Sequence, residues 1–450
     1  MTIFALEPTP FSRLWKAGLR IETTYRVTSR EGSLRISIIG ANLCNRGAES
    51  MLLTLIYSIQ LKIEEANFSV WSYAGDDKTR SGTILHSEPN GIQIEFELAH
   101  NHKTLGLLLL QGLLAVVPFR IIAKLAARLS TFINDVDQAD AVIDISGFAL
   151  TGDRPWWRHV VYLLESRTAY SCNTPFLAMT QSFGPFRNRW QRLVATISLA
   201  QARMISARGA MSARHLEAIG LGKDQDLVIA PDITYLFDPA PEALAKEVLA
   251  DAARPRIAVI PNTNIYRRSA KTSGQRNYRN TYVADMRKLC LSAIVEHNCK
   301  IAFIPHEGDS SRFDDSALVA LIRDDPTISA HSIVLDKALP ASTIKSAIIQ
   351  CDAVITSRYH GMMAALSNAV PAFVPGWADK YEESADMAGS SEFTFNFGQS
   401  GPDSIVEHFT RFWEARDDIR QMLAKRLPQN RSDAKHAIDV MIKHLRSPKT

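Results

Sequence analysis

LRISIIG at residues 34–40, followed by ANLCNRGAES at 41–50, decides how this chain is to be built. The first seven residues are a short, mostly apolar run, which predicts a buried strand, and apolar residues then recur at helical spacing over 48–62. Two glycines, Gly40 and Gly47, bracket the turn between them. The result is a strand, a turn and a helix. The same unit returns at 140–145 (DAVIDI) before Ser146-Gly147, at 176–180 before Gln181-Ser182-Phe183-Gly184-Pro185, and at 204–207 before a helix from about Ala210. Strands that alternate with helices imply a mostly parallel, doubly wound sheet.

Residues 227–230 with Pro231-Asp232 close this half, and a run rich in Pro and Ala at 238–255 leads out of it. There the pattern restarts. Apolar strands are expected at 256–261, 300–305, 332–335, 353–356 and 372–374, with a helix over 282–296 between the first two. The expected organisation is an N-terminal tail (1–33), an α/β domain (34–240), a second α/β domain (250–402) and C-terminal helices (403–450), the last as amphipathic stretches at 405–424 and 432–445. Two doubly wound, Rossmann-like domains place a ligand at the carboxyl ends of their strands, in the cleft between them.

Composition narrows the classes of partner. With 51 basic and 47 acidic residues the formal charge is +4, too balanced for nucleic acid to be the expected partner. Five cysteines without paired spacing suggest buried thiols in a reducing compartment, and no signal peptide is readable before Arg35, so a cytoplasmic protein is expected. An apolar run at 105–119, opened by Leu105 and closed by Phe119, is followed by Arg120, Lys124 and Arg128. It is shorter than the ~20 residues that span a bilayer and fits a buried core helix or an interfacial one, the latter giving peripheral contact at the inner face of the membrane. The cationic tract 266–282 fits a solvated insertion or a lid over an anion. Asp135-Val136-Asp137 fits solvated surface rather than a metal site, and no metal-ligand cluster is apparent.

Chemistry concentrates at three strand ends. The turn at 40–49 offers helix-start amides that favour an anion, with Asn42, Asn45 and Glu49 as weak cleft candidates. Ser357-Arg358-Tyr359-His360-Gly361 follows the expected strand 353–356. Arg358 offers a bidentate fork for carboxylate or phosphate, Ser357 sits beside it, and His360 is a candidate proton donor or phosphate ligand. Arg208, after the strand at 204–207, is expected to face the cleft from the first domain. Asp144, Gln181, His306 and Lys380 are weaker cleft candidates.

In order, these pieces resemble the polysaccharide pyruvyltransferase family. The resemblance rests on the Gly/Asn opening, Asp144-Ile145-Ser146-Gly147, Gln181 with Gly184-Pro185, and Ser206-Ala207-Arg208 with Leu216 and Gly220. It continues through Pro231-Asp232 and Ser357-Arg358-Tyr359-His360 with Pro371 and Lys380, and so runs from about Leu34 to Glu383. It implies a glycosyltransferase-B-like fold and transfer of pyruvate from phosphoenolpyruvate, as co-substrate, to a pair of sugar hydroxyls. The product is a cyclic ketal on a glycan or lipid-linked oligosaccharide destined for the cell surface, and no cofactor or metal is required. It also implies donor-site roles for Arg358 and His360, with Arg208 as a third member. Two positions depart from the family pattern: Ala48 and Gly209 stand where an aspartate is usual. A nucleotide-sugar glycosyltransferase of the same fold and a non-catalytic glycan-binding relative are the alternative readings.

Overall fold

The computed structural model describes residues 34–41, 45–63, 65–72, 86–87, 93–94, 97–100, 130–243, 245, 249, 255–268, 278–307, 314–397 and 404–447. Residues 34–450 form one compact unit. Its first part contains β1 (Leu34–Ala41), α1 (Arg46–Gln60), β2 (Ala66–Ser72), β3 (Glu97–His100), α2 (Thr131–Gln138), β4 (Ala141–Asp144), α3 (Trp156–Ser171), β5 (Phe176–Gln181), α4 (Arg189–Leu199), β6 (Met204–Ala207), α5 (Ala210–Glu217) and β7 (Asp226–Ile229). These strands form a seven-stranded sheet in the order β3-β2-β1-β4-β5-β6-β7, with every pairing parallel.

The second part contains β8 (Arg256–Ile260), α6 (Thr263–Arg268), α7 (Tyr278–Val295), β9 (Lys300–Phe303), α8 (Asp315–Arg323), α9 (Pro326–Ala330), β10 (Ser332–Val334), α10 (Ala341–Ile349), β11 (Ala353–Thr356), α11 (Tyr359–Leu366), β12 (Ala372–Gly376), α12 (Asp379–Ala388), β13 (Thr394–Asn396) and α13 (Ile405–Arg446). Its sheet has six parallel strands, in the order β10-β9-β8-β11-β12-β13. Strand order therefore reverses at β1/β4 in one sheet and at β8/β11 in the other, and the carboxyl ends at such reversals are where doubly wound sheets bind ligands.

Both sheets are covered on each face, which is why their central strands read as nearly continuous apolar runs. In β1, Ile36 and Ile38 face Leu52, Leu55 and Ile56 of α1, while Ile39 points the other way, into the cluster of Phe132, Tyr162 and Phe176. Around the second sheet, Phe373 of β12 packs against Phe409 and Phe412 of α13.

Several expectations change. The two helices foreseen at 405–424 and 432–445 are one 42-residue helix running through Pro428. Phe409, Phe412, Trp413 and Leu423 of that helix belong to the core of the second sheet, whereas Ala437, Ile438, Met441, Ile442 and Leu445 complete a core of the first. Continuous burial, first on one sheet and then on the other, holds the helix together past a proline that lacks a backbone donor. Asp135 is a structural acceptor rather than solvated surface: on α2, it takes hydrogen bonds from Ser69 Oγ and Trp71 Nε1, each at 2.7 Å. Of the tract 266–282, the ends belong to α6 and α7, and 269–277 lie outside the described residues. The tail 1–33, Asn42 and the run 105–119 also lie outside them. Among the described residues no helix is long and apolar enough to cross a membrane, and Cys172, Cys290, Cys299 and Cys351 are buried free thiols.

Met441 is fully buried in a core built mainly by residues before 240. Met441→Ala should lower stability by about 2–5 kcal/mol, the usual cost of truncating a buried Met, read from the midpoint of denaturant unfolding. A change below about 0.5 kcal/mol would mean that α13 is not part of that core.

Candidate functional site

The carboxyl ends of the two switch points meet. Asn45 bridges to Glu307, and Arg46 N–H donates to His306 O at 3.2 Å, so the turn after β1 is joined to the turn after β9 through main-chain contacts. Asn45 caps α1: its Oδ1 accepts from Gly47 N at 3.0 Å and from Ala48 N at 3.3 Å, and Glu49 N donates to Asn45 O. All four leading amides of α1 are thus satisfied within the protein, and the helix start is not the anion site that its glycines suggested.

What Gly47 provides is room. A Cβ at this position would lie 1.9 Å from His360 Cγ, so the imidazole from the second half packs directly on the first turn of α1. His360 Nε2 lies 3.3 Å from Met51 Sδ and 3.9 Å from Asp232 Oδ2. Burial, with repulsion from the cations Arg208, Lys380 and Arg358, holds His360 well below the usual histidine range, so the ring is neutral at physiological pH. The helix that carries it, α11, has no side chain capping its start.

Each site arginine has an internal carboxylate. Arg358 reaches from the end of β11 to Asp315 and Glu307, and also donates to Thr263 Oγ1 at 3.1 Å. Burial works against its charge, but Asp315 and Glu307 outweigh that and raise its pKa above the ordinary value. Arg208 is 1% exposed, pairs with Asp232 at 2.6 Å, donates to Gly147 O at 3.1 Å and lies under the ring of Tyr359. It stands at the junction as expected, but beneath the cleft floor rather than open to it. Arg46 pairs with Glu49 at 2.6 Å and donates to Lys337 O.

Other sequence candidates separate into two groups. Asp144 and Gln181 bond to each other at 2.5 Å, and Asp144 also accepts from Ser146 N and Oγ. Burial raises the Asp144 carboxyl pKa, and the pair acts as a buried brace across the ends of β4 and β5. Glu49 is likewise committed, to Arg46, and Ser357 is buried, its carbonyl accepting from Asn262 and Tyr381. His306 and His360, by contrast, line a narrow crevice with Arg46, Ser50 and Lys345. His306 Nε2 is buried without a hydrogen-bond partner, and burial with repulsion from Arg358 and Arg46 pushes its pKa down to about 3. Lys380 lines a second crevice with Asp153, Gly184, Ser212 and Glu383, its ammonium 4.0 Å from the ring of Phe148 and 4.8 Å from that of Tyr359.

Three groups were not singled out from the sequence. Lys345 is buried on α10 and donates to Thr234 O at 3.1 Å and Phe237 O at 2.5 Å; burial, with repulsion from Arg431, pushes its pKa down to about 7. A lone lysine in the apolar stretch ASTIKSAII was the available signal. Asp315 accepts from Thr263 N, Thr263 Oγ1, His306 N and Glu307 N in addition to Arg358. Glu383, on α12, caps α5 across the junction through Ser212 N at 2.7 Å and Ser212 Oγ at 2.8 Å. A Cβ on Gly209 would lie 2.6 Å from Glu383 Cγ, so the glycine that departs from the family pattern makes way for this carboxylate.

A family model for polysaccharide pyruvyl transferase matches residues 45–378, well over half of the chain and all the elements just described from Asn45 to β12. Solved structures share the fold. A UDP-N-acetylglucosamine 2-epimerase from Listeria monocytogenes, described as putative, is 10% identical with a TM-score of 0.55, covering 92% of this chain and 97% of its own. HepE from Anabaena, in complex with UDP and glucose, is 11% identical with a TM-score of 0.54, covering 92% and 100%. A glycosyltransferase from Rickettsia africae is 12% identical with a TM-score of 0.51, again covering 92% and 100%. At these identities the likeness is one of fold, two Rossmann-like domains of the glycosyltransferase-B kind. A comparison with curated proteins finds no match.

Asp315 is fully buried, whereas the side chain of Glu307 is about one-third exposed. Asp315→Ala should therefore cost about 3–5 kcal/mol by leaving a buried guanidinium half-paired, and Glu307→Ala should cost no more than about 1 kcal/mol. Chemical denaturation of the two variants checks this, and equal losses would contradict the division of roles.

Proposed function

This chain belongs to the polysaccharide pyruvyl transferase family, and from that premise we propose that it transfers the pyruvyl group of phosphoenolpyruvate to two hydroxyls of one sugar residue, forming a cyclic ketal on a cell-surface glycan or its lipid-linked precursor. The observation that carries the reading is the seating of His360: a neutral, partly buried imidazole on an uncapped helix start, pressed against Gly47 and facing a crevice that also presents Arg46, His306 and Lys345.

The donor carries a phosphate and a carboxylate on three carbons. Lys345 supplies positive charge in the crevice, beside Arg46 with its partner Glu49, and Glu307, the part-exposed partner of Arg358, is the group an incoming carboxylate would replace on the guanidinium fork. Burial first and repulsion second keep the His360 ring neutral, and negative charge arriving beside it counters both, so its pKa rises and it takes up a proton as the donor binds. In this scheme His360 then gives that proton to the methylene carbon. The cation formed at C2 is attacked by the first hydroxyl, whose proton returns to His360; phosphate leaves, and the second hydroxyl closes the ketal as its proton passes to the departing phosphate. Asp232, 3.9 Å from Nε2, stabilises the protonated ring.

The test is transfer from labelled phosphoenolpyruvate to a panel of acceptor glycosides, with ketal-linked pyruvate and released phosphate measured together and expected in equal amounts. His360→Ala should reduce turnover by about 10²–10⁴-fold, measured on variant protein that a thermal melt shows to be folded. Calorimetry in buffers of different ionisation enthalpy should show proton uptake on donor binding near neutral pH, shared with Lys345, whose pKa is about 7, so His360→Ala and Lys345→Met should each remove part of it. Arg358→Lys should weaken donor binding and also lower stability, by about 1.5–3 kcal/mol for each charged hydrogen bond lost. Transfer of label from a nucleotide sugar, with none from phosphoenolpyruvate, would replace this reading with the glycosyltransferase one.

A further inference from the structure

The outer face of α3 and α4 is unlike the rest of the described surface. Of eleven exposed large apolar side chains, five are here: Trp156 (68% exposed), Trp157 (42%), Trp190 (45%), Leu193 (55%) and Ile197 (37%). Trp190, Leu193 and Ile197 follow at i, i+3 and i+7 along α4, so they form one stripe, while Val194, Ala195, Ser198 and Leu199 are buried on its inner side. The starts of the two helices lie together, because Arg187 pairs with Asp153 at 3.0 Å and Gln191 Nε2 donates to Gly152 O at 3.4 Å. That brings Trp156 and Trp157 to the tryptophan end of the stripe.

Charge identifies what such a face fits. Residues 152–203 hold seven arginines, no lysine and two acids, in a chain that is otherwise nearly balanced. One of the acids, Glu165, is buried, and the other, Asp153, is the partner of Arg187. Arg189 and Arg192 are exposed beside the stripe, and the Arg158 guanidinium lies 4.4 Å from the ring of Trp157. Guanidinium groups that fork onto phosphate, set around indoles that favour the boundary between headgroups and acyl chains, match an anionic lipid surface.

We propose that the face formed by Trp156, Trp157, Trp190, Leu193 and Ile197, with Arg187, Arg189 and Arg192 around it, docks this protein on a membrane of anionic phospholipid. Docking sets the second crevice at the lipid boundary, since Asp153, Gly184 and Pro185 belong to its lining and lie just before the two helices. The assignment does not depend on the reaction proposed above.

The experiment is flotation of the full-length protein with vesicles of phosphatidylcholine alone or mixed with phosphatidylglycerol, at low and high salt, alongside sedimentation velocity without vesicles. The expected result is binding to the anionic vesicles, at least tenfold weaker on the neutral ones and at high salt. Two surface variants, Trp190→Ser with Leu193→Ser and Arg189→Glu with Arg192→Glu, should each reduce it at least tenfold with melting temperatures unchanged. Brominated lipid should quench tryptophan fluorescence in the parent and less in the first variant. No binding by the parent overturns the proposal, as does binding that survives both variants, which would then lie elsewhere, the run 105–119 included. A parent that sediments as a dimer and never floats, with variants that sediment as monomers, also overturns it and makes the face a self-association surface.

Discussion

The carboxylate of Asp315 organises the second half of the site. One oxygen takes Thr263 N and Thr263 Oγ1 after β8 together with the Arg358 guanidinium after β11; the other takes His306 N and Glu307 N after β9. Three strand ends are therefore held at fixed separation by one buried group at the first position of α8. Such a charge is tolerated in the interior only because its lone pairs are nearly saturated by donors, one of them cationic. From this knot the Arg358-Tyr359-His360 segment leaves in a set direction, and that direction places the imidazole on α1. The first sheet answers with an absence of side chain, since any residue larger than glycine at position 47 would push His360 away.

A second regularity follows from the same geometry. Arg358, Arg208 and Arg46 are each matched inside the protein, by Asp315 and Glu307, by Asp232 and by Glu49, and the start of α5 is matched by Glu383. The junction is thus close to neutral before any ligand arrives. Net attraction for an anion comes from groups that lack a carboxylate partner in their immediate contacts or hold one near the surface: Lys345, bonded to two carbonyls, and Arg358 through its part-exposed partner Glu307. Binding is then an exchange of partners within a preorganised array, which favours ligands that bring the right geometry over those that merely bring charge.

The sequence disclosed the strands that are buried on both faces, because LRISIIG, DAVIDI and RIAVIP admit few alternatives once turns follow them. It did not disclose β2, where ANFSVWS interleaves polar and apolar residues, nor β3 and β13, which are only four and three residues long and owe their existence to pairing with a neighbour. The position of Arg358, Arg208 and His360 at strand ends was legible for the same reason as the strands. Their partners were not. Asp315, Glu307 and Glu383 are distant in sequence from the groups they neutralise, and nothing local distinguishes them from surface acids. Without those partners the guanidinium groups look available to a ligand, whereas folding has already committed most of their donors.

The helix α13 has a consequence for the order in which the chain can fold. Its later half supplies Ile438, Met441, Ile442 and Leu445 to a core whose other members, from Ile36 to Phe237, are made far earlier. At synthesis rates of about 5–20 residues per second the delay on a ribosome is on the order of tens of seconds. During that time the first sheet has its strands but lacks the cover for one apolar surface. The nascent first half must wait in an incomplete state, exposed to chaperones and to association with its neighbours on a polysome, until the helix emerges and spans about 60 Å to close both cores.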